Sequence, residues 1–445
     1  MAETRAFAAI RHNHDRVKPR DVLTQPYDKI SPAMQEKYYA AHPDNLIALE
    51  KGRALAGDTP QDNVYTRARR ALEDWLARGV LTADAEPAIY AYYQDFSVPG
   101  APERKLRRKS FIAVGRLEDY SAGVVHRHEL TLTGPRQDRL ELLRHTRAQT
   151  GLLFMLYEDP AFRLNRLLDQ AAKQAPAVEF QDEFSVHHTL WPVADSSVAE
   201  KFAAEMRPKK IVIADGHHRY ETALAFRDEC RARRRAAAGG DAADPCAAHE
   251  FAMMAFVNCA DPGLVILPTH RVVANLSGFD LVRLRRQTEG WFEWHKLSAA
   301  DGRMSLPGAL AGHGRAGTAI GVYAGSQGAA ILRLRPDAAM EQLLPGLTES
   351  QRKLDVAVLH GLLLEQGLGI SADAVAKESN LSYERQLDAA LEAVDSGRAQ
   401  LACLLNPVGV ESVWRLALGG EVMPQKSTDF YPKMLSGLTI YRVEG

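Results

Sequence analysis

Short apolar runs rich in β-branched and aromatic residues alternate along this chain with stretches in which apolar positions recur every three or four residues. The alternation predicts an α/β, or more broadly α+β, protein. Strands are predicted at 88–98, 110–117, 123–132, 152–157, 189–193, 210–214 and 250–258. Helices are predicted at 32–41, opened by Ser31 and Pro32, and at 63–78, 136–148, 163–174 and 197–206, with a further one from the histidines at 217 and 218 to about 235. A Ser-Gly break at 277–278 marks a boundary between a region 1–276 and a region 277–445. In the latter, strands are expected at 290–296, 318–323, 329–334 and 400–405 and helices at 352–366 and 383–396. Residues 231–248, rich in Ala and Gly, read as a surface insertion.

Composition narrows the class of protein. A chain of 445 residues with 46% hydrophobic content can bury more than one core without disulfides. Its 55 Lys and Arg almost cancel 56 Asp and Glu, which leaves no global field to hold nucleic acid or an anionic membrane. Arg104, Lys105, Arg107, Arg108 and Lys109 are assigned to the solvated loop of a hairpin, with no recognition helix beside them. Four scattered cysteines, no C-x-x-C pair and no apolar leader imply a cytoplasmic location. No H-E-x-x-H zinc pattern, Walker loop or G-x-G-x-x-G fingerprint occurs.

The chemistry concentrates at Asp215-Gly216-His217-His218-Arg219. Before it, Lys209 and Lys210 introduce an apolar run that reads as a core strand, and after it Tyr220, Ala223 and Leu224 recur at helical spacing. Asp215 therefore sits at the bend. A helix start offers unpaired N–H groups and the positive end of the dipole, and Gly216 lets a ligand approach the backbone, a combination that binds anions. His217, His218 and Arg219 add donors, the last as a fork matched to phosphate. Asp215 would hold Mg2+ or accept a proton. The bland alternative is an Asp N-cap with two ordinary histidines; five suitable residues together favour the anion site.

The run Ala214-Asp215-Gly216-His217-His218-Arg219-Tyr220-Glu221 resembles the D-G-H-H-R motif of the ParB and sulfiredoxin superfamily. Along most of its length the chain is also similar to the "domain of unknown function 1015" family, through Gln25-Pro26-Tyr27-Asp28, His128-Glu129-Leu130-Thr131, Leu267-Pro268-Thr269-His270-Arg271 and Met423-Pro424-Gln425-Lys426-Ser427-Thr428. The resemblance implies a ParB/sulfiredoxin-like nucleotide-binding core with insertions in residues 1–276, and an α+β C-terminal region, 277–445, that helps close the pocket. It implies ATP or ADP with Mg2+ as cofactor and a small hydroxyl metabolite, such as free serine, as substrate. In the superfamily's free-serine kinases an H-E pair supplies the base, and His128-Glu129 matches it here. Glu129, Asp215 and His218 are then the catalytic set, and Gly216, His217, His218 and Arg219 the phosphate cradle.

Weaker pocket candidates are Tyr27, Asp28, His128, Arg139, His270, Arg271, Lys426, Ser427 and Thr428. Glu129 paired with Arg127 or Arg139 would instead be a plain strand-end carboxylate. Two other functions use the same residues. One is a phosphatase acting on a phosphomonoester such as phosphoserine, and the other a nucleotide-gated binding protein without turnover. A homo-oligomer is left open.

Overall fold

The computed structural model describes residues 1–129, 133–238, 244–298 and 302–443. The chain divides into two compact units, one made of 1–265 with 432–445 and the other of 266–431. The expected division at 276/277 therefore falls eleven residues late, and the last fourteen residues belong with the first unit, not the second. Pairing accounts for this return: Ile440 exchanges backbone hydrogen bonds with Ile10, and Tyr441–Arg442 pairs antiparallel with Ala148–Gln149.

The first unit is built on a mixed sheet. Its order is Val125–His126, Ile211–Asp215, Leu153–Tyr157, Phe251–Asn258, Ala101–Arg116, Ile89–Val98, His187–Val193 and Val178–Gln181, with Thr4–Arg5 added to the 101–116 strand. Ile211–Asp215 runs parallel to Val125–His126, and Phe251–Asn258 parallel to Leu153–Tyr157; the remaining pairs are antiparallel. The central strands are apolar on both faces, as a sheet covered on both sides requires. All eight residues of 251–258 are buried, and Phe111 stacks on Phe256 at 4.9 Å.

Helices fall where the local signals put them. Ser31 caps Pro32–Ala41 by accepting from the Met34 amide, and Asn63 with Thr66 forms a capping box at the start of Val64–Ala77. Thr133–Thr146, Arg163–Ala171 and Ser196–Met206 match the expected helices to within a few residues.

The basic stretch is placed differently. The strand Ala101–Arg116 runs through Arg104 to Lys109, so the hairpin turn is only Pro99-Gly100, with Gly100 at φ +81°. Of the predicted strand 123–132, only Val125–His126 is regular; 130–132, including Leu130 and Thr131, lie outside the described residues, as do 239–243 of the Ala/Gly-rich stretch.

The second unit carries a six-stranded sheet ordered Phe292–Lys296, Ala329–Leu334, Ala319–Tyr323, Leu401–Leu405, His270–Val273 and Leu381–Glu384. The helix expected over 383–396 divides, because Tyr383 pairs with Arg271 as sheet and the helix begins only at Leu387. The expected helix 352–366 is α-helical over Asp355–Val358 and π-helical over Leu359–Gly367. Among the described residues no helix is long and apolar enough to cross a membrane.

Candidate functional site

The strand Ile211–Asp215 ends where predicted, Gly216 turns the chain at φ +93°, and the helix His217–Ala238 begins at once, its first bond running from the Tyr220 amide to the Gly216 carbonyl. The amides of the first helical turn precede that bond, at the end of the helix that carries the positive pole of its dipole. Asp215, Gly216, His218 and Arg219 keep partial exposure, so the corner is not sealed. A small cavity of about 60 Å³ borders it, lined by Glu50, Arg139, Thr150, Gly151, Arg219 and Thr222 among others.

Asp215 lies between two cations. Its Oδ1 accepts from Lys433 Nζ and its Oδ2 from Arg219, each at 3.2 Å. Burial alone would raise its pKa, but the charges of Lys433, Arg219 and Lys29 outweigh this and hold the carboxyl well below the usual carboxylate range. Arg219 also donates to the Leu152 carbonyl, so its fork braces the strand end in this structure and is not turned outward. Its Nε is buried and has no hydrogen-bond partner among the described residues. A Cβ on Gly216 would fall 3.2 Å from that nitrogen, and one on Gly151 would fall 2.8 Å from Arg219 Nη1. Two glycines thus keep side chains away from a guanidinium that has a donor left over.

The two flanking histidines are neutral. His128 is fully buried, and its Nδ1 is 2.7 Å from the Ile213 carbonyl, which fixes Nδ1 as the protonated nitrogen. The His128 amide donates to His217 Nε2, and the rings meet edge to face at 4.7 Å. Burial lowers the His128 pKa to about 4 and, with the neighbouring imidazole, pushes His217 well below its ordinary value. Since the folded pKa lies below the unfolded one, the unfolded chain binds protons first as pH falls. The contribution is full above about 6.5, and roughly 3 kcal/mol from His128 is lost by pH 4. The urea midpoint of wild type should therefore fall more steeply between pH 7 and 4.5 than that of His128→Asn; parallel slopes would show that His128 is not the buried titrating group.

Glu129 follows His128 at the end of this segment. The parallel register sets Val212 against His126, where the regular strand ends, three residues before the half-buried Glu129. Arg127 approaches Glu221 at 3.7 Å, and Arg139 bonds Asp138 and the Glu50 carbonyl. Arg139 also covers the Tyr27 ring at 4.4 Å, which brings Tyr27 to the cavity side, whereas Asp28 is exposed.

Several contributors carry no sequence motif. Glu50, 2% exposed, accepts from Thr150 Oγ1 at 2.6 Å, Ser436 Oγ at 2.9 Å and the Tyr27 amide at 3.2 Å. Lys433 is held through its backbone, because Gln94 donates to its carbonyl at 2.9 Å, and buried Arg108 bonds both Gln94 and the Pro432 carbonyl. Arg108, assigned to a solvated loop, is 1% exposed and lies 4.7 Å over Phe154. Nothing local in the sequence distinguishes it from its solvated neighbours.

The other pocket candidates, His270, Arg271 and Lys426 to Thr428, belong to the second unit. There His270 Nδ1 accepts from the Leu405 amide, Arg271 is fully buried, and Ser427 bonds the Pro424 carbonyl. No group of three His, Cys, Asp or Glu that could hold a metal occurs among the described residues. With both Asp215 oxygens turned to cations, the corner does not fit the Mg2+ expected there, and no step is drawn through one.

Fold and corner together define a mixed α+β protein with a helix-start site at the carboxyl end of a core strand. The model described as "Protein of unknown function (DUF1015)" matches residues 4–357, and the chain belongs to that family. No curated protein matches the sequence. Among solved structures, a conserved hypothetical protein from Pyrococcus furiosus is similar at 12% identity and TM-score 0.34, over 72% of this chain and 92% of that one. A free serine kinase in complex with AMP is similar at 12% and 0.35, over 71% and 89%. SbnI with a C-terminal truncation, from Staphylococcus aureus, is similar at 9% and 0.35, over 74% and 87%.

Proposed function

We propose that the corner at Asp215 to Arg219 binds the phosphates of ATP or ADP and that the protein is a phosphotransferase acting on a small hydroxyl metabolite such as free serine. The observation that carries the reading is the buried Arg219 Nε, without a hydrogen-bond partner among the described residues, in a guanidinium that side chains on Gly216 and Gly151 would crowd, at the opening of a helix. A donor left over in a low-dielectric corner costs free energy until an acceptor arrives, and an anionic oxygen is the acceptor that gains most there. The substrate hydroxyl oxygen bonds to the terminal phosphorus of the nucleotide as the bridging P–O bond breaks, and ADP leaves from ATP or AMP from ADP.

The chain's residues have distinct tasks. The positive end of the helix dipole, with Gly216 leaving room, faces the phosphate oxygens. His217 and His128, held neutral, keep the turn in place. Asp215 fixes Lys433 and Arg219, so that their positive charge is already in position when phosphate charge develops. Glu129, next in the chain to buried His128, takes the proton of the substrate hydroxyl.

Glu129→Gln removes the base without removing bulk. It should lower turnover of ATP or ADP with L-serine by about 100-fold or more, the size of a general-base contribution, while nucleotide affinity stays near wild type. Phosphoserine formation followed by 31P NMR, with calorimetry for binding, separates the two. Nucleotide binding without any transfer to hydroxyl acceptors would overturn the kinase reading, and no nucleotide binding at all would overturn the site.

A further inference from the structure

The second unit contains a cavity of about 540 Å³, within the range of roughly 300–1,000 Å³ typical of small-molecule pockets. Leu344, Leu347, Ile370 and Val375 give it apolar walls, and His360 gives it a polar end. His360 stands at the opening of the nine-residue π-helix Leu359–Gly367. π-helical winding is rare and collects at functional positions, because it shifts a side chain off the face an α-helix would give it. Next to it, a Cβ on Gly361 would lie 2.3 Å from Leu344 Cδ2, so glycine is what lets the Leu344 wall come in against the π-helix.

The imidazole is set as a donor. Its Nε2 accepts from Arg271 Nε at 3.2 Å, which leaves the ring proton on Nδ1, and Nδ1 has no acceptor among the described residues. Arg271 is 0% exposed and is anchored by the Thr269 and Gln425 carbonyls, with Tyr383 opposite it on the neighbouring strand and its guanidinium 5.2 Å from that ring. A cation donating to one side of an imidazole makes the N–H on the other side more acidic, and hence a better donor to a negative oxygen. Burial, then the Arg271 charge, press the His360 pKa down to about 3, so the ring stays a neutral, single-tautomer donor at neutral pH.

We infer that the second unit has a binding site of its own, for a small carboxylic acid with an apolar body, which places its carboxylate on His360 Nδ1–H and its hydrocarbon against Leu344, Leu347, Ile370 and Val375. Glu365 is an exposed acid at the edge of the cavity and works against an anion, which limits affinity without blocking entry. The site owes nothing to the corner at Asp215, and it stands or falls separately from the phosphotransfer reading.

Titration calorimetry of the full chain with sodium octanoate, and with octan-1-ol as its uncharged twin, tests the assignment. Octanoate should bind about tenfold or more tightly than octanol, a difference of about 1.4 kcal/mol or more. Ala376→Trp, a substitution at an exposed position on the cavity wall, should weaken octanoate by a similar factor, Glu365→Gln should tighten it about two- to threefold, and His360→Phe should erase the preference for the acid. Equal binding of acid and alcohol, undiminished binding by Ala376→Trp, or no heat at millimolar octanoate would each overturn the inference.

Discussion

Asp215→Asn is expected to cost about 3 kcal/mol of stability as well as abolishing turnover, because it removes a carboxylate shared by Lys433 and Arg219 and keeps its shape. Both cations are well covered, with side chains 10% and 13% exposed, so neither can turn to water at no cost. Breaking a covered pair is more damaging than replacing it whole. The double variant Asp215→Asn/Lys433→Met should therefore recover part of the loss, and a double-mutant cycle on urea midpoints measures the coupling. Additive effects would mean that the two side chains are not paired in solution. Acid should act in the same direction as the single variant. The Asp215 carboxyl is depressed in the folded state, so its contribution is fully present above the ordinary carboxylate range and is lost progressively as pH falls below that range toward the depressed folded value.

The second large effect is expected at Glu50, a residue with no motif around it. Its two oxygens receive three donors in a space almost closed to solvent. Glu50→Gln replaces one acceptor oxygen with an amide that points hydrogens at Thr150 or Ser436. At least one buried donor is then left without an acceptor, which costs about 2–4 kcal/mol when charge-assisted bonds are lost. Glu50→Asp keeps the charge but withdraws it, and should lose less. Denaturant titration of both variants decides the matter. A glutamine variant as stable as wild type would show that the carboxylate is not the hub of this network. Because Arg139 and Arg219 border the same cavity, loss of nucleotide affinity should accompany the loss of stability.

What could be read from residues alone followed the range of each physical signal. The strand–turn–helix at 211–238 is legible because apolar run, glycine and helical spacing follow one another directly along the chain, and caps such as Ser31 and Asn63 announce their helices for the same reason. The surroundings of that turn were not legible. Lys433 reaches Asp215 from 218 positions away and Ser436 reaches Glu50 from 386, distances over which no pattern of spacing operates. Arg108 shows the same limit from the other side. As one of five bases in a row it reads as solvated, yet its acceptors include the Pro432 carbonyl 324 positions on, and that contact draws it inside. Tyr383 was drawn out of an apparent helix by the strand His270–Val273, and the π-helical turn at His360 has no periodic signature of its own.

The return of residues 432–445 to the first unit also sets a timetable. A ribosome must translate the whole of 266–431 before Lys433, Ser436 and Ile440 leave the exit tunnel, so the nascent chain holds Asp215 and Glu50 for most of its synthesis without the residues that complete them. The inserted segment emerges complete while its host is still waiting, and a premature stop after Tyr431 would release a polypeptide whose larger part lacks the strand Tyr441–Arg442 and Lys433, a natural substrate for quality-control proteases.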